Sequence, residues 1–292
     1  MRHRSLGGLA VGAVGLGAMP LSIEGHPDEA RALATVHAAL DAGVTLLDTA
    51  DSYHPPGGEP GAGERLLARA LAAYGGDRDA VLVATKGGRG RSADGGWTVD
   101  GRPEHLRRAA EGSARRLGID AIGLYQLHKP DPAVPYAESL GAMRELLDAG
   151  TIRLAGISNV DGEQILLARK ILGERLVSVQ NRYSPAVRDA EAELRLCAEL
   201  GLAFLPWSPL GGISRSSLDG TSAQEEDPRF GAFHRVARAR GVSPQRVALA
   251  WLLARPGNVL PIPGASRPES ARDSALAAEL VLSEAELAEL GV

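Results

Sequence analysis

Gly43-Val44-Thr45-Leu46-Leu47-Asp48-Thr49-Ala50-Asp51-Ser52-Tyr53 is the stretch on which the fold turns. Val44 to Leu47 is a short apolar run of the kind that makes a strand buried on both faces. It ends abruptly in two carboxylates and a tyrosine. A carboxylate at the end of a buried parallel strand lies where α/β enzymes place their chemistry, at the carboxyl edge of the sheet. Taken alone, the stretch reads equally well as a capping aspartate followed by a surface tyrosine. The rest of the chain decides between them.

Outward from that strand, β-branched runs alternate with helical patterns in both directions. Strands are expected at Val11 to Leu16, Val44 to Leu47, Ala80 to Thr85 and Ala121 to Leu127. Four more are expected at Ile152 to Ile157, Leu176 to Val179, Ala203 to Pro206 and Val259 to Ile262. Helical patterns lie between them, for example Pro103 to Leu117, which opens on a proline in its first turn and stops at Gly118. Alternating βα units predict a parallel sheet, and eight of them predict a closed (β/α)8 barrel, one domain over residues 1–292. A doubly wound open sheet would want G-x-G-x-x-G after its first strand. Gly12, Gly15 and Gly17 do not keep that spacing and read as close-packing or bend positions.

Composition narrows the function. The net charge is −4, so no basic excess exists to meet nucleic-acid phosphates or an anionic membrane. No apolar span reaches membrane length, and the lone Cys197 has no disulfide partner; both point to a cytoplasmic protein. Of 32 basic residues only Lys86, Lys129 and Lys170 are lysine. A lysine kept against such an arginine bias marks a position where a compact, titratable ammonium is wanted, and Lys86 falls at a strand end.

The carboxyl ends of the strands form the functional face of a barrel. They carry Asp48 with Tyr53 beyond it, then Lys86, then His128. The next ends carry Ser158 and Asn159, then Gln180, Asn181 and Tyr183, then Trp207 and Ser208, then Gly264, Ser266 and Arg267. A lysine beside a tyrosine hydroxyl is expected to favour the phenolate and lower a pKa of about 10. An aspartate would hold that lysine charged, and His128 would bond a substrate oxygen or share the proton. Such a set protonates a carbonyl oxygen as hydride reaches the carbon. No nucleophile elbow and no His-x-His or His-Glu-x-x-His spacing is present, which argues against hydrolase and metal-dependent readings.

Five ordered motifs now resemble one family over almost the whole chain, the aldo-keto reductases. They are Gly43 to Tyr53, Ala84-Thr85-Lys86, Leu124 to His128, Gly156-Ile157-Ser158-Asn159 and Ile262 to Arg267. The resemblance implies a metal-free barrel that reduces aldehydes and ketones with NADPH, NADH being possible. It implies Asp48, Tyr53, Lys86 and His128 as the catalytic set, with Tyr53 as general acid. Ser158, Asn159 and Gln180 would hold the nicotinamide carboxamide, and Trp207 would stack on the ring. Ser208 and Leu210 would follow the pyrophosphate, and Gly264, Ser266 and Arg267 would meet the adenosine 2′-phosphate.

The chain departs from the family at three places. His54-Pro55-Pro56-Gly57-Gly58 makes a longer, stiffer turn after Tyr53. Asp273-Ser274 stand where the family carries Glu-Asn at the adenine, and Gly264 stands where a lysine or arginine is common. The substrate pocket is expected to include Met19 and Trp97, with Gly87 to Arg102 and a flap from Gly211 to Asp227 around it. The partner is a small carbonyl compound; the sequence carries no signal of oligomeric state. The alternative on the same barrel is a cofactor-binding sensor with little turnover.

Overall fold

The computed structural model describes residues 1–92, 94–214 and 227–291. The expected flap therefore lies largely outside the described residues. Among the described residues there are twelve strands: β1 (His3–Leu6), β2 (Leu9–Gly12), β3 (Leu16–Gly17), β4 (Leu46–Asp48), β5 (Leu82–Gly87), β6 (Arg89–Arg91), β7 (Trp97–Val99), β8 (Ile122–Leu127), β9 (Ile152–Ser158), β10 (Leu176–Gln180), β11 (Ala203–Phe204) and β12 (Asn258–Val259). Ten α-helices accompany them: α1 (Glu29–Asp41), α2 (Ala62–Ala73), α3 (Pro103–Leu117), α4 (Tyr136–Asp148), α5 (Gly162–Leu172), α6 (Glu191–Glu199), α7 (Gly231–Arg240), α8 (Pro244–Leu253), α9 (Pro268–Leu276) and α10 (Glu284–Glu289).

Eight strands form one parallel sheet in the order β3-β4-β5-β8-β9-β10-β11-β12. The sheet closes on itself through Gly15 N to Pro261 O and Gly17 N to Pro263 O, each 2.9 Å, and through a parallel bridge between Gly17 and Gly264. The closure depends on glycine. A Cβ at Gly17 would lie 2.8 Å from Ile262 O, so the two edges meet this closely only where a side chain is missing. The result is the (β/α)8 barrel.

The first expected strand proves to be divided. Leu9–Gly12 pairs antiparallel with His3–Leu6, and only Leu16–Gly17 joins the barrel. The signal for this hairpin is Gly7-Gly8, whose φ values of 59° and 85° suit a tight two-residue turn. Leu6 and Val11 pack with Leu46, Leu124, Val177 and Leu260, so the hairpin plugs the amino-terminal end of the barrel. A second hairpin, β6 with β7, forms within the Gly87 to Arg102 stretch expected beside the pocket.

Alternation along the strands sorts side chains between two environments. On β5, Ala84 faces the barrel interior with Leu46 and Leu124, Lys86 follows on that side, and Thr85 turns out to Glu64 of α2. On β8, Leu124 and Gln126 face in, while Tyr125 and Leu127 join the outer core beneath the helices. That outer core holds Trp251 of α8, fully buried and stacked on Tyr183 with ring centroids 6.0 Å apart. The helices begin on local signals. Asp28 caps α1 through Arg31 N, and Asp161 with Gln164 forms a capping box on α5. Among the described residues no helix is long and apolar enough to cross a membrane.

Candidate active site

Inward positions at the carboxyl ends of four strands create a buried polar layer. Lys86 is fully buried at the end of β5. Its ammonium has an acceptor for each proton: Asp48 Oδ1 at 2.5 Å, Thr49 O at 2.9 Å and the Tyr53 hydroxyl at 3.2 Å. The second oxygen of Asp48 accepts from Gln126 Nε2 at 3.0 Å and Gln180 Nε2 at 2.9 Å. A buried ion pair is stable only when its remaining lone pairs and protons are matched, and here they are. The His128 ring meets Tyr53 edge-on at 5.7 Å, and its Nδ1 lies 3.5 Å from Ser52 Oγ.

The electrostatics differ from the sequence reading at one point. The Tyr53 hydroxyl is expected to be acidified by Lys86, yet its pKa is raised, because burial outweighs the opposing pull of the Lys86 ammonium. Burial also works against the charge on Lys86, but Asp48 and Tyr53 together outweigh it and hold the ammonium above its ordinary value. His128 is pushed well below the usual imidazole value by burial, and the charges of Lys86 and Arg89 act in the same direction. At neutral pH the layer therefore holds a phenol, an ammonium–carboxylate pair and a neutral imidazole.

Above this layer opens a cavity of about 380 Å³, within the range of small-molecule sites. Asp48, Tyr53 and His128 form its base, and Met19 and Trp97 stand on its walls. Ser158, Asn159, Gln180, Trp207, Ser208, Leu210 and Gly264 line it as well. Asn159 and Ser208 hold left-handed backbone, with φ of 59° and 48°, which is uncommon for residues with a Cβ and recurs at ligand-clamping positions. Asn159 Nδ2 donates to His128 O at 2.9 Å and to Ser158 Oγ at 3.0 Å, tying the asparagine to the buried polar layer.

A nicotinamide nucleotide fits these residues. The amide oxygens of Asn159 and Gln180 carry no hydrogen bond to the described residues, so both remain as acceptors for a carboxamide. The Trp207 indole offers a flat face at the cavity, and its N–H is buried without an acceptor among the described residues. Gly264 is exposed and leaves the rim without a side chain.

Four sequence-expected residues lie outside the cavity lining, just before and along α9. Ser266 is half-buried, and the exposed Arg267 donates to Ser270 Oγ at 3.2 Å. Asp273 is held by Arg246, at 2.6 Å, and by the Ser243 hydroxyl, while Ser274 is buried. Two functional positions were not singled out in the sequence. Gln126 stands two residues before His128, on the same face of its strand, and that spacing is its only signal. Arg89, in the glycine-rich stretch after Lys86, lines the cavity.

This barrel is one that known proteins share. Residues 13–291 match the Aldo/keto reductase family, and the chain belongs to it. It is 36% identical to 6-dehydroglucose reductase of Novosphingobium aromaticivorans over 270 residues, 90% of this chain and 86% of that protein. The fold superposes on the glycerol dehydrogenase of Gluconobacter oxydans with a TM-score of 0.82 at 28% identity, covering 99% of this chain and 93% of that one. An aldo/keto reductase of Klebsiella pneumoniae, solved with NADP and acetate, matches with a TM-score of 0.78 at 28% identity, covering 99% and 94%. The chain is thus an oxidoreductase of this family.

Proposed function

We propose that the protein reduces an aldehyde or ketone to the alcohol with NADPH, Tyr53 supplying the proton. The observation that carries this reading is the hydrogen-bonded series Asp48–Lys86–Tyr53 at the base of the cavity. When bound, the nucleotide supplies a hydride to the carbonyl carbon. As the carbon–oxygen π electrons move onto oxygen, that oxygen takes the proton of the Tyr53 hydroxyl. The phenolate left behind is stabilised by the Lys86 ammonium, 3.2 Å away. Asp48, fixed by Gln126 and Gln180, keeps Lys86 charged and oriented.

The direction of each pKa divides the roles. A neutral His128 has no proton to give at neutral pH as an acid, so it orients. With Nδ1 towards Ser52, Nε2 is the ring nitrogen left to bond the substrate oxygen. Tyr53, kept protonated, is the group able to act as general acid. Ser158, Asn159 and Gln180 would hold the carboxamide, and Trp207 would cover the ring. Ser208 and Leu210 would follow the pyrophosphate, with Ser266 and Arg267 at the 2′-phosphate. Asp273 and Ser274 would stand towards the adenosine end.

Steady-state oxidation of NADPH across a panel of aldehydes tests the reading. Aldehyde-dependent consumption is expected. Binding of NADPH with no consumption for any carbonyl compound would contradict it and leave a cofactor-binding sensor.

A further inference from the structure

Two arginines stand two residues apart on one face of β6, and the fold treats them differently. Arg91 is paired through both terminal nitrogens of its guanidinium. It makes a bidentate pair with Glu24 at 2.7 and 2.5 Å, and it donates to His54 O at 3.1 Å and Gly95 O at 2.9 Å. Arg89 lines the cavity, and it has neither a carboxylate nor any other hydrogen-bond acceptor among the described residues. Its guanidinium lies 4.4 Å from the centroid of the Trp97 ring, and that of Arg91 lies 4.5 Å from it. Trp97 and the hairpin thus hold Arg89 in place without neutralising it.

The charge of the cavity follows from this difference. Lys86 and Asp48 offset each other at 2.5 Å, and His128 is neutral at physiological pH. Among the described lining residues Arg89 remains as the one charge without a counterpart. It is partly desolvated: burial is the largest influence on its guanidinium and disfavours its charge, and Arg91 adds to that. A half-buried, unpaired cation is costly unless something arrives to pair it.

We infer that Arg89 is a specificity residue that receives a carboxylate of the substrate, so that the preferred substrates are oxo acids. This rests on the reductase reading above. The planar fork of a guanidinium matches a carboxylate bidentately. The single unbalanced positive charge matches a monoanion, whereas a phosphate dianion would be only half compensated. Trp97 and Met19 would flank the carbon chain between carbonyl and carboxylate, since both pack against Tyr53 and line the same cavity. Arg89 acts on the reacting group too, because its charge favours the Tyr53 phenolate and disfavours the His128 imidazolium. Pairing with a substrate carboxylate would relax both effects.

The test compares matched substrates: 4-carboxybenzaldehyde with benzaldehyde, and 4-oxobutanoate with butanal. In the wild type the acid of each pair should have the higher kcat/KM. In Arg89→Gln the acid-to-neutral ratio should fall about ten- to a hundredfold, mainly through KM, the size of one charge-assisted pair. Arg89→Lys should restore part of the ratio. An aldehyde carrying a phosphate should gain less from Arg89 than the carboxylate does; a larger gain would overturn the choice of carboxylate. A ratio near one in the wild type, or the same ratio in both enzymes, overturns the inference and leaves the reductase standing. If Arg89 only braces Trp97, both members of a pair lose equally, which also overturns it. Benzoate reads the same contact without turnover. Its Kd for the NADPH-loaded protein should weaken in Arg89→Gln by a similar factor. Arg89-dependent benzoate binding in a protein that reduces no aldehyde would sink the reductase reading alone.

Discussion

Lys86 is the residue whose surroundings carry most of the argument. All three of its protons are committed, and Asp48 at 2.5 Å, with Tyr53, outweighs the burial that works against its charge. Lys86→Met should remove the pull that opposes burial at Tyr53 and so raise the phenol pKa further. In the proposed mechanism reduction uses the phenol and oxidation the phenolate, so the variant should be impaired most in alcohol oxidation. The oxidation limb of its pH–rate profile should move to higher pH. A profile with that limb unmoved in a partly active variant would break the Lys86–Tyr53 coupling.

Arg267 poses a different question at the same scale. It is exposed, and its one contact among the described residues is Ser270 Oγ, so its guanidinium remains available to a phosphate. Arg267→Ala should weaken NADPH about ten- to a hundredfold, with NADH almost unaffected. Equal losses for both nucleotides, read by fluorescence quenching, would make the residue structural.

Between elements, the outer face of β5 carries a second charged cluster. Glu64 of α2 accepts from Thr85 Oγ1 at 2.6 Å and from Arg116 Nε of α3 at 2.5 Å, joining two helices and a strand. Asp51 lies against this cluster, nearly buried, with its Oδ1 unpartnered among the described residues. Burial, then repulsion from Glu64, pushes its carboxyl up to about 8. The folded state therefore holds a proton that the unfolded state releases near pH 4. This contribution to stability is complete below that value and is lost as the pH rises through about 8. The slope is on the order of 1.4 kcal/mol per pH unit at most. Asp51→Asn should flatten the decline in urea midpoint between pH 6 and pH 9, followed by circular dichroism. A variant that declines as steeply as the wild type would show Asp51 to be ionised throughout.

The elements also show what the sequence makes legible. α3 spans Pro103–Leu117, as its opening proline and closing glycine predict. Leu46–Asp48 is a strand ending in the expected carboxylate. The first barrel strand differs from the expected Val11 to Leu16 because it is two residues long, too short for any periodicity, and a longer apolar run beside it belongs to the hairpin. The β6–β7 hairpin was missed for a related reason: three-residue strands rich in arginine and glycine carry no alternation of apolar residues. Arg89 was hidden with it. The sign of the Tyr53 shift was unreadable because burial is a property of the closed barrel, whereas the proximity of Lys86 follows from strand order.

At the scale of the whole molecule, one closed barrel separates stability from chemistry. The Gly7-Gly8 hairpin seals the amino-terminal end with Leu6 and Val11, and the carboxyl end gathers Asp48, Lys86, Gln126 and Gln180 into one buried layer. These four side chains come from positions as far as 132 residues apart, yet strand order alone makes them neighbours. The proposed role of this layer is to deliver a proton from Tyr53. It is tested most directly by the rate of NADPH-dependent aldehyde reduction in Tyr53→Phe, measured in a single turnover with NADPH affinity determined alongside. A loss of about 10²–10⁴ in rate is expected, with NADPH binding retained. A variant that binds NADPH and reduces the aldehyde within a few-fold of the wild-type rate would contradict it.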